Sequence, residues 1–376
     1  MDLGFPLYEG INPRLTAARC GARSSIHRHE SSSGRGFNAD RRYAGAVSAI
    51  QEPIFVGGTQ RSGTHATAGL IGAHRAVADL PREMKFHAHQ LGLPGVIAGR
   101  VSPRAFAKRM REFWWKRPYR EGRTRGLYKT IPRERFDRAL EVFLAACRAA
   151  PLRRRMLRRR PRPDLVGPSR DLVNALFDPI AIEQDAKCWV EMSPRNAQFA
   201  PELLRMFPRM RLVYTVRDGR DVASSLAGLP FGPETALEAL ERWDRHLRRA
   251  DASVRQLPAD RVHTVRLEEL VLTRREQSFA ALLEFLELDE DPGIRGMFDS
   301  ELTAENGHLG RWRTELAGGE RDELDRRYRD VLAAMAADGV ALRPDPDPLP
   351  ADYSAMPAAG PGSAIDPWAD GRAERA

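Results

Sequence analysis

Two glycines five residues apart, Gly58 and Gly63, bracket Arg61 and Ser62 and lead into Thr64 and His65. The spacing is that of G-x-x-x-x-G-K-[ST], a backbone cradle for phosphate, but Thr64 and His65 stand where that pattern has Lys and Ser or Thr. The cradle itself does not need the lysine. Gly57, Gly58 and Gly63 permit turns closed to other residues, and the first N–H groups of a following helix converge on an anion. The cation instead lies inside the loop, at Arg61, beside a first phosphate rather than the outer phosphates of a triphosphate. The hydroxyl that would hold magnesium is missing too. Such a loop suits a donor with one 5′ phosphate that carries a second anion. A second constellation, "VRDGRDVASS" at 216–225, puts Arg217 at a strand end and Ser225 eight residues on, so that both can grip one phosphate.

Elements of one kind must hold these groups. "PIFVGG" reads as a short buried strand and "ATAGLIGAHRAV" as the helix after the loop. "RLVYTVRDGRDVASSLAGL" from Arg211 repeats strand, turn and helix, and "RVHTVRLEELV" at 261–271 is a third strand followed by the helical "REQSFAALLEFLEL". Alternation of this kind predicts an α/β domain with a parallel sheet, helices on both faces and ligands at the carboxyl ends of the strands. Residues 100–180 are mostly helical by pattern and show no repeat, which predicts an inserted helical cap over about 90–185. Residues 1–51 are rich in Ser, Gly, Arg and His, and 343–376 in Pro and Ala. Both are expected to be disordered, leaving 52–342 as the folded domain.

Composition narrows the partners. Lys and Arg total 60 against 51 Asp and Glu, a net charge of +9, which points to an anionic ligand, an acidic acceptor or peripheral contact with a membrane surface. The basic run at 152–162 lacks interleaved aromatics, so no specific nucleic-acid partner is expected. Cys20, Cys147 and Cys188 have no metal-ligand spacing, and an odd count speaks against a disulfide framework. With no secretory signal and no apolar run long enough to span a bilayer, a cytoplasmic protein is expected. Oligomeric state is not legible.

"TQRSGTHAT" resembles the 5′-phosphosulfate loop of sulfotransferases that use 3′-phosphoadenosine 5′-phosphosulfate (PAPS), and "VRDGRDVASS" resembles their 3′-phosphate motif. "NGHLGRWRTEL" at 306–316 resembles the segment that folds over the donor, while "WVEMSPRN" and "RLEELV" occur in family order between them. The similarity spans about 52–340 and is nearest to bacterial members of the Golgi-type and tyrosylprotein-like branch. It implies a P-loop-containing nucleoside-triphosphate-hydrolase-like three-layer fold and a PAPS-dependent enzyme without a metal. Residue by residue, it implies that Gly58 and the amides of Ser62, Gly63, Thr64 and His65 bind the 5′ phosphate and that Arg61 neutralises the phosphosulfate bridge. It also implies that Arg217 and Ser225 hold the 3′ phosphate, with Gly310, Arg311 and Arg313 closing over it.

Sulfuryl transfer is an in-line displacement that needs two positioned substrates, spread leaving-group charge and a base for the acceptor proton. In the resembling branch a carboxylate at this distance from the loop is the base, which selects Glu83 in "LPREMKFHAH"; His87 is the second candidate. Relatives often carry a lysine where this chain has Met192, so the charge must come from Lys187, Arg195 or Arg82. The acceptor, whether carbohydrate, lipid, peptide tyrosine or natural product, has no signature. Rival readings are a P-loop kinase-like phosphotransferase, which would need the absent lysine and a magnesium carboxylate, and a basic nucleic-acid binder.

Overall fold

Ile54 and Val56 face one hydrophobic core and Phe55 between them faces another. A strand buried on both faces in this way belongs in the middle of a sheet covered by two layers. The structure, a computed structural model, describes residues 50–80, 83–118, 124–153, 162–350 and 353. Five parallel strands form the sheet: β1 (Ile54–Gly58), β2 (Val77–Asp79), β3 (Cys188–Met192), β4 (Arg211–Val216) and β5 (Val262–Arg266), in the order β2-β3-β1-β4-β5. The chain runs from β1 to the β2 edge, returns to β3, then crosses β1 to β4 and β5. β1 therefore lies at the point where the winding reverses, the crevice where such sheets bind ligands.

Helices cover both faces, giving the three-layer P-loop-like arrangement expected. The helices of eight or more residues among the described residues are α1 (Thr64–Gly72), α2 (Arg133–Ala149), α3 (Val166–Glu183), α4 (Gly219–Leu226), α5 (Ala236–Val254), α6 (Arg275–Leu286), α7 (Pro292–Glu301) and α8 (Gly318–Ala337). α5 opens with a capping box in which Thr235 accepts from the Glu238 amide and Glu238 reaches back to the Thr235 N–H. Asp291 caps α7, accepts the Arg75 amide at 2.9 Å and so ties α7 to the end of α1.

Three expected boundaries shift. The third strand ends at Arg266, because Glu269–Thr273 turns into a π-helical stretch. The cap expected over 90–185 does not end at 185 as one piece. Its last helix, α3, lies on the sheet, where Asp178 accepts the Trp189 indole N–H of β3 at 2.9 Å and Phe177 packs edge-on against the same ring. The remainder, with helices at Leu93–Ile97 and Pro103–Arg109 and α2, forms the cap, filled by Phe106, Trp114 and Phe143. The body also continues past 342, since Leu349 is buried, Pro346 accepts from Arg220 and Asp347 pairs with Arg329. Alternating Pro and Asp resists helix and strand but docks through its carbonyls and carboxylates. The arm 1–49, the basic residues 154–161 and the terminus from 354 lie outside the described residues. Among the described residues no helix is long and apolar enough to cross a membrane.

Candidate active site

At the carboxyl end of β1 the loop is built from close approaches. A Cβ at Gly58 would sit 2.4 Å from the Thr215 hydroxyl and 2.6 Å from that of Ser62, and Gly63 has φ 88°, so both positions need glycine. The Ser62 hydroxyl is fully buried, donates to the Thr59 carbonyl at 2.7 Å and lies 2.9 Å from Thr215 on β4. Its side chain thus shapes the loop, and its amide, expected to bind the 5′ phosphate, also donates to the Thr59 carbonyl, at 3.3 Å. Gly63, Thr64 and His65 begin α1, where N–H groups have no intrahelical acceptor. Arg61 itself has φ 65°, one of five non-glycine residues with positive φ among the described residues; Lys85 and His308 are two others, and all three flank this site.

Arg61 reaches across the sheet. Its Nε donates to the Ser225 hydroxyl on α4 at 2.8 Å, and Arg311 Nη1 lies 3.4 Å from the same oxygen. Arg217 donates Nη1 to the Arg61 carbonyl at 3.2 Å and Nη2 to the His308 carbonyl at 2.7 Å, and its Nη2 is 3.4 Å from Asp221. The structure therefore brings together Arg61, Arg217, Ser225 and Arg311 from three stretches far apart in sequence. Arg217 is buried with Nε unmatched by any acceptor among the described residues. That spare donor, three guanidinium groups, a buried hydroxyl and a helix start fit a ligand with two separated anions. Burial, then Arg311, Arg217 and Arg61, push the His308 imidazole below its ordinary value, a sign of how positive the crevice is. Arg313 does not join the group; it donates to the Tyr353 carbonyl at 3.3 Å beside Trp312. Gly310, at φ 68°, contributes its amide to Asp221.

Asp221 is a residue that motif reading missed. Its carboxylate accepts the amides of Gly310 at 2.8 Å and Trp312 at 3.2 Å, fastening the late segment onto α4. The signal was present as the second Asp of "RDGRD" but carries no partner in its own sequence. Beneath it, Glu268 accepts the Asp218 amide at 2.8 Å. Burial pushes the Glu268 carboxyl up to about 7 from an ordinary 4.5. The unfolded chain then releases this proton at lower pH than the folded one, so stability falls as pH rises from 4.5 to 7. Glu268→Gln should remove that fall, by about 3 kcal/mol at most, while keeping an acceptor for Asp218. Urea unfolding of both proteins at pH 4.5 and 7.5 checks it, and parallel curves would refute it.

On the β3 side, the segment after β2 is pinned to the sheet. The Met84 amide donates to Glu191 at 3.0 Å, which brings Glu83 to the carboxyl edge, where its side chain is 21% exposed and pairs with Lys85. His87 is buried at 1% between Phe55 and Phe86, with Nε2 2.8 Å from Glu191 and 2.9 Å from Asn196. Glu191 also accepts from Ser193 at 2.7 Å and from Asn196 at 2.8 Å. Burial opposes its charge, but His87, Asn196 and the Met84 amide outweigh that and hold the carboxyl below the usual range. Met192, the position for which the resemblance leads one to expect a lysine, is buried in the core. Of the suggested substitutes, Lys187 precedes β3 and bonds through its amide to Ala76, at the end of the sheet away from the loop. Arg82 lies outside the described residues, and Arg195 sits at the correct edge, just beyond β3.

A family model described as "Sulfotransferase family" matches residues 53–292. The chain belongs to the sulfotransferase family. The matched span contains the loop, Glu83, Glu191, Arg217 and Ser225, whereas Arg311 lies beyond it. The fold is similar to that of sulfotransferase STF1 from Mycobacterium tuberculosis, at 17% identity over 78% of this chain and 80% of that one with a TM-score of 0.41. It is similar to the sulfotransferase domain of the curacin biosynthetic pathway, at 16% identity over 74% and 98% with a TM-score of 0.43. A further likeness is to mouse sulfotransferase SULT7A1, described as complexed with PAP, at 15% identity over 79% and 93% with a TM-score of 0.39. No curated protein matches the sequence.

Proposed function

We propose that this sulfotransferase moves a sulfuryl group from PAPS to a hydroxyl or amine of an acceptor, by in-line transfer with Glu83 as base. The observation that carries the donor reading is the convergence of Arg61 and Arg311 on the Ser225 hydroxyl beside Arg217. Such a cluster matches a 3′ phosphate, and the helix start of Gly63–His65 suits the 5′ phosphate one loop away. Arg61, whose carbonyl steadies Arg217, supplies positive charge between the two.

In the transfer, the acceptor oxygen attacks sulfur as the bond from sulfur to the bridging oxygen breaks. The bridging oxygen leaves with its electron pair on the 5′ phosphate, where Arg61 and the loop amides meet the growing charge. The acceptor proton passes to the Glu83 carboxylate, whose resting partner is Lys85. His87 is too deeply buried to meet an acceptor, and with Nε2 given to Glu191 and Asn196 we assign it a positioning role under Met84 and Glu83.

Thermal unfolding tests the donor assignment. 3′-Phosphoadenosine 5′-phosphate (PAP) at a hundred times its Kd should stabilise the fold by about 2.7 kcal/mol, while ATP with magnesium should have a much smaller effect. A larger shift with ATP and magnesium would favour a phosphotransferase, and no shift with PAP would overturn the reading.

A further inference from the structure

Next to the donor crevice lies a second collection of positive charge that the donor does not use. Arg195, at the carboxyl edge of β3, rests its guanidinium 5.2 Å over the Phe199 ring and meets no carboxylate among the described residues. α5 is held against this turn through Ser253, which donates to the Gln198 carbonyl at 3.0 Å. Along α5, Arg242, His246 and Arg249 recur at i, i+4 and i+7 and so share one face. Arg242 reaches the donor loop itself, donating to Gln60 at 2.5 Å, so this face adjoins the crevice.

The opposite bank is the segment that carries Glu83. Burial first, then Arg195, Arg109, Lys85 and Arg117, depress the His89 imidazole to about 4. Burial first, then Arg242, Arg195, Arg249 and Arg245, do the same to His246. The two banks meet where His87 bonds Asn196, the residue after Arg195, at 2.9 Å, so the Glu83 segment and the turn that α5 packs on lie side by side. Their carboxylates are engaged: Glu83 pairs with Lys85, and exposed Glu241 lies 3.8 Å from Arg245. Arg195, Arg242 and Arg249 meet no carboxylate among the described residues, so their charges repel one another and the arrangement is favourable when an anion enters.

We propose that the acceptor is itself anionic, a hydroxyl compound whose carboxylate, phosphate or sulfate group is held by Arg195 and Arg249 while its hydroxyl meets Glu83. The assignment rests on the sulfotransferase reading above and deepens it. It distinguishes this cleft from one built for a neutral sterol or alcohol, which apolar walls would serve.

The test uses PAP-saturated protein and matched probes: 2-naphthol against 6-hydroxy-2-naphthoate, and glucose against glucose 6-phosphate, titrated by calorimetry at pH 7. The charged member of each pair should bind at least tenfold more tightly than its neutral twin. In the double variant Arg195→Gln, Arg249→Gln that preference should shrink to about twofold, with PAP affinity retained. Charged twins that bind no better than neutral ones, including the case where neither binds, overturn the inference. So does a preference that survives in the double variant, or a loss of PAP affinity that equals the loss of probe affinity, which would give these arginines to the donor. Failure of the wild-type protein to bind PAP at all would strike the donor reading instead.

Discussion

Replacing Glu83 with Gln should lower kcat by about 10²- to 10⁴-fold, the range over which a positioned base contributes, and leave PAP affinity within about twofold. The substitution keeps the size and hydrogen-bonding reach of the side chain but removes its ability to take a proton. Because Glu83 is partly exposed and bonded to a lysine rather than built into the core, stability should hardly change. His87→Asn is the informative companion. It breaks a buried pair with Glu191, so it should destabilise the fold by about 3–5 kcal/mol. Any activity it loses should track the folded fraction and not the pH profile of turnover. Single-turnover transfer from labelled PAPS, with denaturation curves alongside, separates the two. Wild-type turnover in Glu83→Gln would remove Glu83 from the mechanism.

Arg217→Ala should weaken PAP binding by about 10- to 100-fold, the loss expected when a charged hydrogen-bonding partner is taken from a phosphate. Adenosine 5′-monophosphate, which lacks the 3′ phosphate, should lose little, so the discrimination between the two nucleotides should collapse. The variant also strands Asp221, which would keep only the Gly310 and Trp312 amides as partners. Burial already pushes that carboxyl above its ordinary value, Arg217 being the charge that opposes the push. A drop in melting temperature that grows as pH rises is therefore expected with the loss of affinity. Arg217→Lys should restore charge without the fork that spans two carbonyls, and so recover only part of the nucleotide discrimination. Equal losses for both nucleotides in Arg217→Ala would contradict the 3′-phosphate role.

What sequence could reveal here follows from distance along the chain. The loop and "VRDGRDVASS" are local patterns: glycine spacing, a strand end and a helix start lie within a few residues, so Gly58, Gly63, Arg217 and Ser225 could be found together with the sheet that holds them. The Glu191, His87 and Asn196 network could not, because His87 follows β2 and meets the other two only when β2 pairs with β3. Nothing in "WVEMSPRN" tells a buried Glu from an exposed one. The arginines of α5 alternate with acids in "ERWDRHLRRA" and read as a solvated face. Only the packing of α5 on the turn after β3 turns one edge of that face towards Arg195. The tail failed for another reason: Pro-rich composition speaks against regular structure, yet Leu349 and Asp347 show that irregular chain can still dock.

The crossing of β1 by the chain also governs when a nucleotide site exists. Arg61 meets Ser225 across 164 positions of sequence, and Arg217 meets His308 across a further 91. A chain emerging from the ribosome would expose the phosphate loop long before either partner had been made. The clamp is then among the last structures to form, and its ligand is a reporter of completed folding: PAP added during refolding should leave the early, loop-forming steps untouched and slow only the unfolding of the finished protein.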